Sequence, residues 1–558
     1  AAGVSVLSNG GNITYTASGG SYTAGDDRAI LLGASSGSRS VINAGGGNIS
    51  LSGSWGTTGV AGGGDYATWI FGTDIKTSGA GTISIVGDAT NTTTTLSTYG
   101  LNMGNATLIQ SETGAITLTG TGSKASTNSR GVVDDGSALK VLSASGAITL
   151  KDLSPTGLTG TYTGLYLYPI STAHLYLGSD GSTVLSGTST ASSSNVTIQA
   201  DKASFIANGS YKTNLITSGA VVVESVGSTF TAALDATSLN ISGSPSSVRF
   251  GKTTNTGNVT LGSAITAAGP ITVYGGDITL KTNLTSTLAG SAIKLMATGT
   301  ITSNTAANTL TTNGGAVLLA SDTDGNDSGS IYVSTSGLTV DTRTGLAGSK
   351  STTGTGGGAI TLAGGDQAGT GYASGVSSTV AGGITSEGYL GLLSGGGDIA
   401  MRGQSWVGAV ADGYQAWGIA HWGTAGFVAD SGVGKIYLEG VSRSSGTGSY
   451  KIGITTKYGV DLKSAFAGAD AIQLIGKSTT TGTSRSHGVD LGTDNSAYAT
   501  ATYQRMVASG AGGGISIIGT ANEFAVLIRN GTQLLANGGP INLKAGGLGA
   551  GGTASGLY

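Results

Sequence analysis

The chain has 558 residues, among them 102 glycines and only 5 prolines, and it contains no cysteine. Its formal net charge is −3 and its 26 Lys and Arg residues are dispersed, which leaves no basic footprint for nucleic acid and no polybasic stripe for a membrane surface. No apolar run reaches the roughly 18 residues of a membrane-spanning helix, so no membrane insertion is expected, and the lack of cysteine is in keeping with an exported, extracellular or cell-surface chain.

Residues 1–40 open with strand candidates at Val4–Leu7, Asn12–Thr16 and Ala29–Leu32, between Gly/Ser turns. The first residues carry neither a charged nor an apolar leader segment, the pattern expected of a mature chain or a fragment. Residues 41–341 read as a repeat array. Gly-Ala-Ile-Thr-Leu stands at Gly114–Leu118 and again at Gly146–Leu150. The alternation sends Ile116 and Leu118 to one face of a strand and Thr117 and Thr119 to the other. Ile49, Ile83, Ile116 and Ile148 recur at intervals of 34, 33 and 32 residues, which is an internal repeat.

Each repeat holds three short strand candidates, such as Ala115–Thr119, Gly131–Asp134 and Ala138–Ser143. Three strands, three turns and a return to the start describe one coil of a three-sided β-solenoid, an all-β parallel β-helix with little or no helix. One coil cannot bury its own apolar face, so coils must stack. Ile116, Ile148, Ile436 and Ile472 are therefore predicted to be buried in columns. Thr117, Thr149, Tyr437 and Gln473 are predicted to face outward, and the outward Thr and Ser to bond along the stack.

Further along, Leu165-Tyr166-Leu167 and Leu175-Tyr176-Leu177 still alternate, with Tyr outward or in a shallow groove. From Asn195 the rhythm shortens: Ile271, Ile293 and Val317 follow at intervals of 22 and 24. Residues 342–383 form a Gly/Ser/Thr-rich irregular stretch with one strand, Ala359–Leu362. Coils resume over residues 384–545, with long units opening at Ile399, Ile436, Ile472, Ile515 and Ile541. Ala521–Ala536 lies inside the repeat, is rich in β-formers and has Gly531 within it, so it reads as two strands. Residues 546–558 are a Gly-rich, uncharged tail.

Strings such as Gly269-Pro270-Ile271-Thr272-Val273, Gly276-Asp277-Ile278-Thr279-Leu280 and Gly539-Pro540-Ile541-Asn542-Leu543 resemble the repeats of filamentous-haemagglutinin-type exoproteins. Passenger segments of autotransporters share this texture. The resemblance implies a right-handed β-helix, secreted to or carried on a bacterial surface, with an adhesive role.

Candidate sites were weighed against plain structural readings. Asp134-Asp135 and Ser486-His487-Gly488 match pieces of a polysaccharide-cleaving site but lie far apart in the array, and no close carboxylate pair is legible. With three histidines and no cysteine, neither a transition metal nor another cofactor is expected. Asp322-Thr323-Asp324-Gly325-Asn326-Asp327 alternates oxygen ligands but has Asp327 where a calcium loop needs Gly and Val333 where it needs Glu, so a solvated turn is expected. The strongest anomaly is Trp406, Tyr414, Trp417, His421, Trp422 and Phe427, which holds three of the five tryptophans within 17 residues. It reads either as a sugar-binding or subunit-contact platform, or as rings filling a wider coil beneath a loop.

The expected function is a non-enzymatic surface protein with a structural or adhesive role, a subunit of an extracellular filament or matrix. Its expected partners are itself, end to end through terminal strands, and surface glycans or other cells. The alternative is a carbohydrate-active β-helix enzyme. A third reading, a crystal-binding face of outward Thr, needs a flatter Thr-x-Thr array than the irregular turns allow.

Overall fold

The computed structural model describes residues 3–19, 28–33, 38–55, 65–90, 97–124, 126, 128–135, 138–155, 161–169, 174–304, 307–345, 348–410, 415–445, 450–479, 486–492, 504–529, 531–547 and 555–557. All regular structure among them is β-strand. The chain forms two compact units, Ala1–Ala268 and Gly269–Tyr558. Each is a parallel β-helix in which most strands pair with the third strand before and the third after, so that successive coils stack in ladders.

One ladder carries the repeated isoleucines. In the first unit its column runs Ile13, Ile49, Ile83, Ile116, Ile148, Val196, Val221, Val248, each residue in register with the next. In the second unit it runs Ile271, Ile293, Val317, Ile360, Ile399, Ile436, Ile472, Ile515, Ile541. Ile116, Ile148, Ile436 and Ile472 are each 0% exposed, as the alternation required. Thr117, Thr149, Tyr437 and Gln473 are half-buried on the outer side. Removing such aliphatic side chains from water drives the stacking, at about 25 cal/mol per Å² of apolar surface.

The ladders before and after the isoleucine ladder complete each coil. Outward polar residues bond along the stack: Asn240 Nδ2 donates to Asn214 Oδ1 at 2.7 Å, and Gln199 Nε2 to Glu224 Oε1 at 2.8 Å. The sequence reading placed hydroxyls outside, but a second set points inward at the corner leading into the isoleucine strand. Ser111, Thr312 and Ser431 are buried there, each donating to the carbonyl of the residue three further on, Gly114, Gly315 and Gly434. The corner exposes carbonyls inside the coil that no ladder can satisfy, and a short hydroxyl side chain reaches them.

The following ladder decides coil length. In long coils its strands approach the end of the isoleucine strand so closely that glycine faces glycine: a Cβ on Gly120 would overlap the Gly131 carbonyl, and one on Gly440 the Gly453 carbonyl. In short coils, such as those containing Ile278–Leu280 and Ile301–Ser303, the strand is three residues and this approach is not needed. Where a short coil meets a long one, the longer strand overhangs its neighbour and leaves a step.

Candidate functional site

One such step lies in the second unit. The three-residue strand Ile384–Ser386 pairs with the six-residue strand Ala416–His421 through Ile384–Ile419, Thr385–Ala420 and Ser386–His421. Ala416, Trp417 and Gly418 extend past the end of the shorter strand. The chain there turns away, with the Gly383 N–H donating to the Trp417 carbonyl at 3.1 Å. A cavity of about 610 Å³ opens at this overhang.

Its floor is outward residues of the following ladder, Thr302, Tyr332 and Thr385, in register on successive strands. Its far wall is the loop Gly375–Ala381. That loop is tied at both ends, by Gly375 N–H to Gln404 O at 3.0 Å and by Trp406 N–H to Ala381 O at 2.9 Å, and is closed on itself by Val376 N–H to Val380 O at 2.8 Å. Val376 and Val380 stand exposed on it. Trp417 and Trp422 supply the aromatic wall, edge to face with ring centroids 4.5 Å apart. The Lys457 ammonium lies 3.6 Å from the Trp422 ring, a cation–π contact that holds the indole in place.

Glu387 is the charged member of the lining. Its carboxylate accepts the Tyr332 hydroxyl; burial first, and the neighbouring Glu387 second, push the phenol up to about 12. Trp417 is only 6% exposed; among the described residues its Nε1–H has no acceptor and Gln415 Oε1 has no donor, and both atoms are enclosed behind the wall.

The aromatic patch expected from sequence is thus divided. Trp417 and Trp422 line the cavity. Trp406 packs on Ala381, Val410 and Ala416 and braces the loop from behind. His421 and Phe427 belong to the interior, not to a surface patch, with rings 5.9 Å apart. Burial draws the His421 pKa down to about 4, against a smaller opposing pull from the Gly423 backbone, so the imidazole is neutral near pH 7. Tyr414 lies outside the described residues. Sequence reasoning missed Tyr332, Glu387 and the Val376–Val380 wall. They are separated from the tryptophans by tens of residues, and only the strand register joins them.

Sequence reasoning also found no cluster around His487. The structure places Asp490 Oδ2 at 3.0 Å from His487 Nδ1 and Glu523 Oε2 at 3.8 Å from Nε2, because His487 stands in register with Phe524 and Asp490 with Leu527. Arg529 grips Asp490 with two bonds of 2.9 and 3.0 Å. Burial pushes the Asp490 carboxyl up, but the bonds from His487 and Arg529 outweigh it and hold it below its usual range.

In the Asp322 loop, Ser374 donates to Asp322 and Arg443 pairs with Asp327 at 2.9 Å, so these carboxylates tie the loop down. A second aromatic region lies in the first unit. Arg28 lies 3.8 Å from the Trp69 ring, Trp69 stacks on Tyr66 at 4.4 Å, Tyr66 packs on Tyr99 at 5.0 Å, and Arg130 lies 3.7 Å from the Tyr166 ring. These groups cover one another's faces along the stack.

No family model, no curated protein and no solved structure matches the chain. The likeness to haemagglutinin-type exoproteins rests on the repeat strings alone.

Proposed function

We propose that this chain is a non-catalytic, secreted bacterial surface protein with a structural and adhesive role, a stacked scaffold that carries a ligand groove on its flank. The unbroken register of the aliphatic columns carries this reading. Each coil buries the row of the coil before it, so added coils lengthen the outward face without enlarging the core cross-section. Immunogold labelling of intact producing cells should decorate the exterior and any extracellular material. Label confined to the cytosol would sink the proposal.

We further propose that the partner includes a second copy of the chain. Val6, Leu7 and Tyr15 are exposed on the strands Ser5–Leu7 and Ile13–Gly19. Exposed apolar strands invite pairing with another sheet. Val6→Lys with Leu7→Lys should shift sedimentation from assemblies to monomers; a wild-type chain that is monomeric at high concentration refutes the contact.

A carbohydrate-active enzyme is the second reading, favoured by His487 between Asp490 and Glu523. Against it, His487 and Asp490 are buried and Arg529 takes up the Asp490 oxygens, which fits a packing tie better than acid–base work. Oligosaccharide cleavage that disappears in Asp490→Asn, with folding intact, would reverse the preference.

A further inference from the structure

We infer that the cavity at the Trp417 step binds an uncharged saccharide, end or branch, of a neighbouring surface; this rests on the adhesive reading and names its ligand class. A volume near 610 Å³ falls within the roughly 300–1,000 Å³ of small-ligand sites. The polar part of the lining is built from groups that match alcohols. Thr302 and Thr385 offer hydroxyls on the floor. Glu387 adds a carboxylate acceptor beside them. A sugar hydroxyl both donates and accepts, so it matches the Thr302 and Thr385 hydroxyls and the Glu387 carboxylate alike.

The apolar part fits the other half of a sugar. Trp422, Val376 and Val380 supply the apolar lining, suited to the C–H groups of a pyranose ring. Charge sets the class. Glu387 carries the charge of the lining, and it is held by Tyr332 at the floor. A uronate or other acidic sugar would bring a second carboxylate beside it with no cation in the lining to compensate, and like charges so placed discriminate against such a ligand. A flat apolar partner is a poorer match, because it would cover Thr302, Thr385 and Glu387 without bonding them.

Trp406 acts here as a positioning residue. It does not line the cavity, but its N–H and its ring hold the Ala381 end of the loop that carries Val380.

The test uses the intact purified chain with cellotriose, maltotriose, mannotriose and trigalacturonate, read by tryptophan fluorescence and by saturation-transfer NMR. At least one neutral trisaccharide should bind saturably and trigalacturonate should not. Val380→Lys, at a half-exposed loop position that should leave the fold unchanged, should weaken that binding at least about tenfold. Trp422→Ala should do the same, and if it unfolds, Val380→Lys alone decides. Arg130→Ala, in the other unit, should leave binding unchanged. The inference is overturned if none of the neutral trisaccharides binds, if trigalacturonate binds as tightly, or if Val380→Lys binds like wild type. Its failure is distinct from failure of the scaffold reading, because immunogold labelling of cells does not depend on the groove. Cytosolic label with saturable sugar binding would remove the adhesive role and leave the site.

Discussion

Two steps in the ladders, one in each unit, show how the same architectural event can end in a sealed core or in an open site. In the first unit the seven-residue strand Tyr162–Tyr168 is followed by the three-residue strand Ala203–Phe205, joined through Leu165–Ala203, Tyr166–Ser204 and Leu167–Phe205. The overhanging end is filled from within. Asp152 stands in register with Gly120, in the column where earlier coils place glycine, and is fully buried. The Tyr162 hydroxyl and Ser154 donate to it. In the second unit the overhang at Trp417 is covered by a loop that stands off, and space remains. Unequal coils create the ledge; whether a side chain or a ligand fills it depends on which residue sits beneath it.

The largest expected effect tests the premise that both steps sit on the same aliphatic frame. Ile116→Asp in one unit and Ile472→Asp in the other should each cost about 3 kcal/mol or more in urea unfolding, since each buries an unpaired carboxyl in a closed column. A small loss in either would break the comparison.

The sealed step should show itself in pH dependence. Burial raises the Asp152 carboxyl to about 7, despite the bonds from Tyr162 and Ser154, with nearby Asp201 adding to the rise. A folded-state pKa above the unfolded value means folding takes up a proton. The favourable state is fully present below the unfolded pKa near 4 and is lost as pH rises through about 7. The difference corresponds to a loss on the order of 4 kcal/mol between those limits. Asp152→Asn should flatten that slope while leaving groove binding unchanged. Asp490 acts in the opposite sense: its depressed pKa contributes stability above the usual carboxylate range, lost as pH falls through its folded value. A melting temperature that does not fall between pH 4.5 and 7.5 in wild type would contradict the assignment to Asp152.

A smaller effect separates the two aromatic regions. Arg130→Ala, which strips the guanidinium from the Tyr166 ring, should lower stability by about 1 kcal/mol, the scale of a half-exposed cation–π contact. If the rings of that region bound ligand instead of one another, the variant would lose binding. The smallest effect is at Thr117→Ser on the outer side of the isoleucine ladder, expected within about 0.5 kcal/mol by thermal melt.

The sequence by itself determined the strand period, the coil length and the identity of the buried columns. These follow from side chains two apart and from isoleucines one coil apart, distances that a linear reading can see. Ile116, Ile148, Ile436 and Ile472 could be assigned to the interior, and Trp417 and Trp422 marked as unusual, on that basis alone. Register between coils of unequal length was not legible, because it depends on where each following-ladder strand begins and ends. That register decided that His421 and Phe427 lie inside and that Trp406 stands behind a loop. It also brings Tyr332 and Glu387 to the tryptophans and sets Asp490 and Glu523 on either side of His487. The inward hydroxyls of Ser111, Thr312 and Ser431 were hidden for a related reason. In a composition full of Ser and Thr, only the closed coil shows which hydroxyl faces an orphaned carbonyl and which faces water.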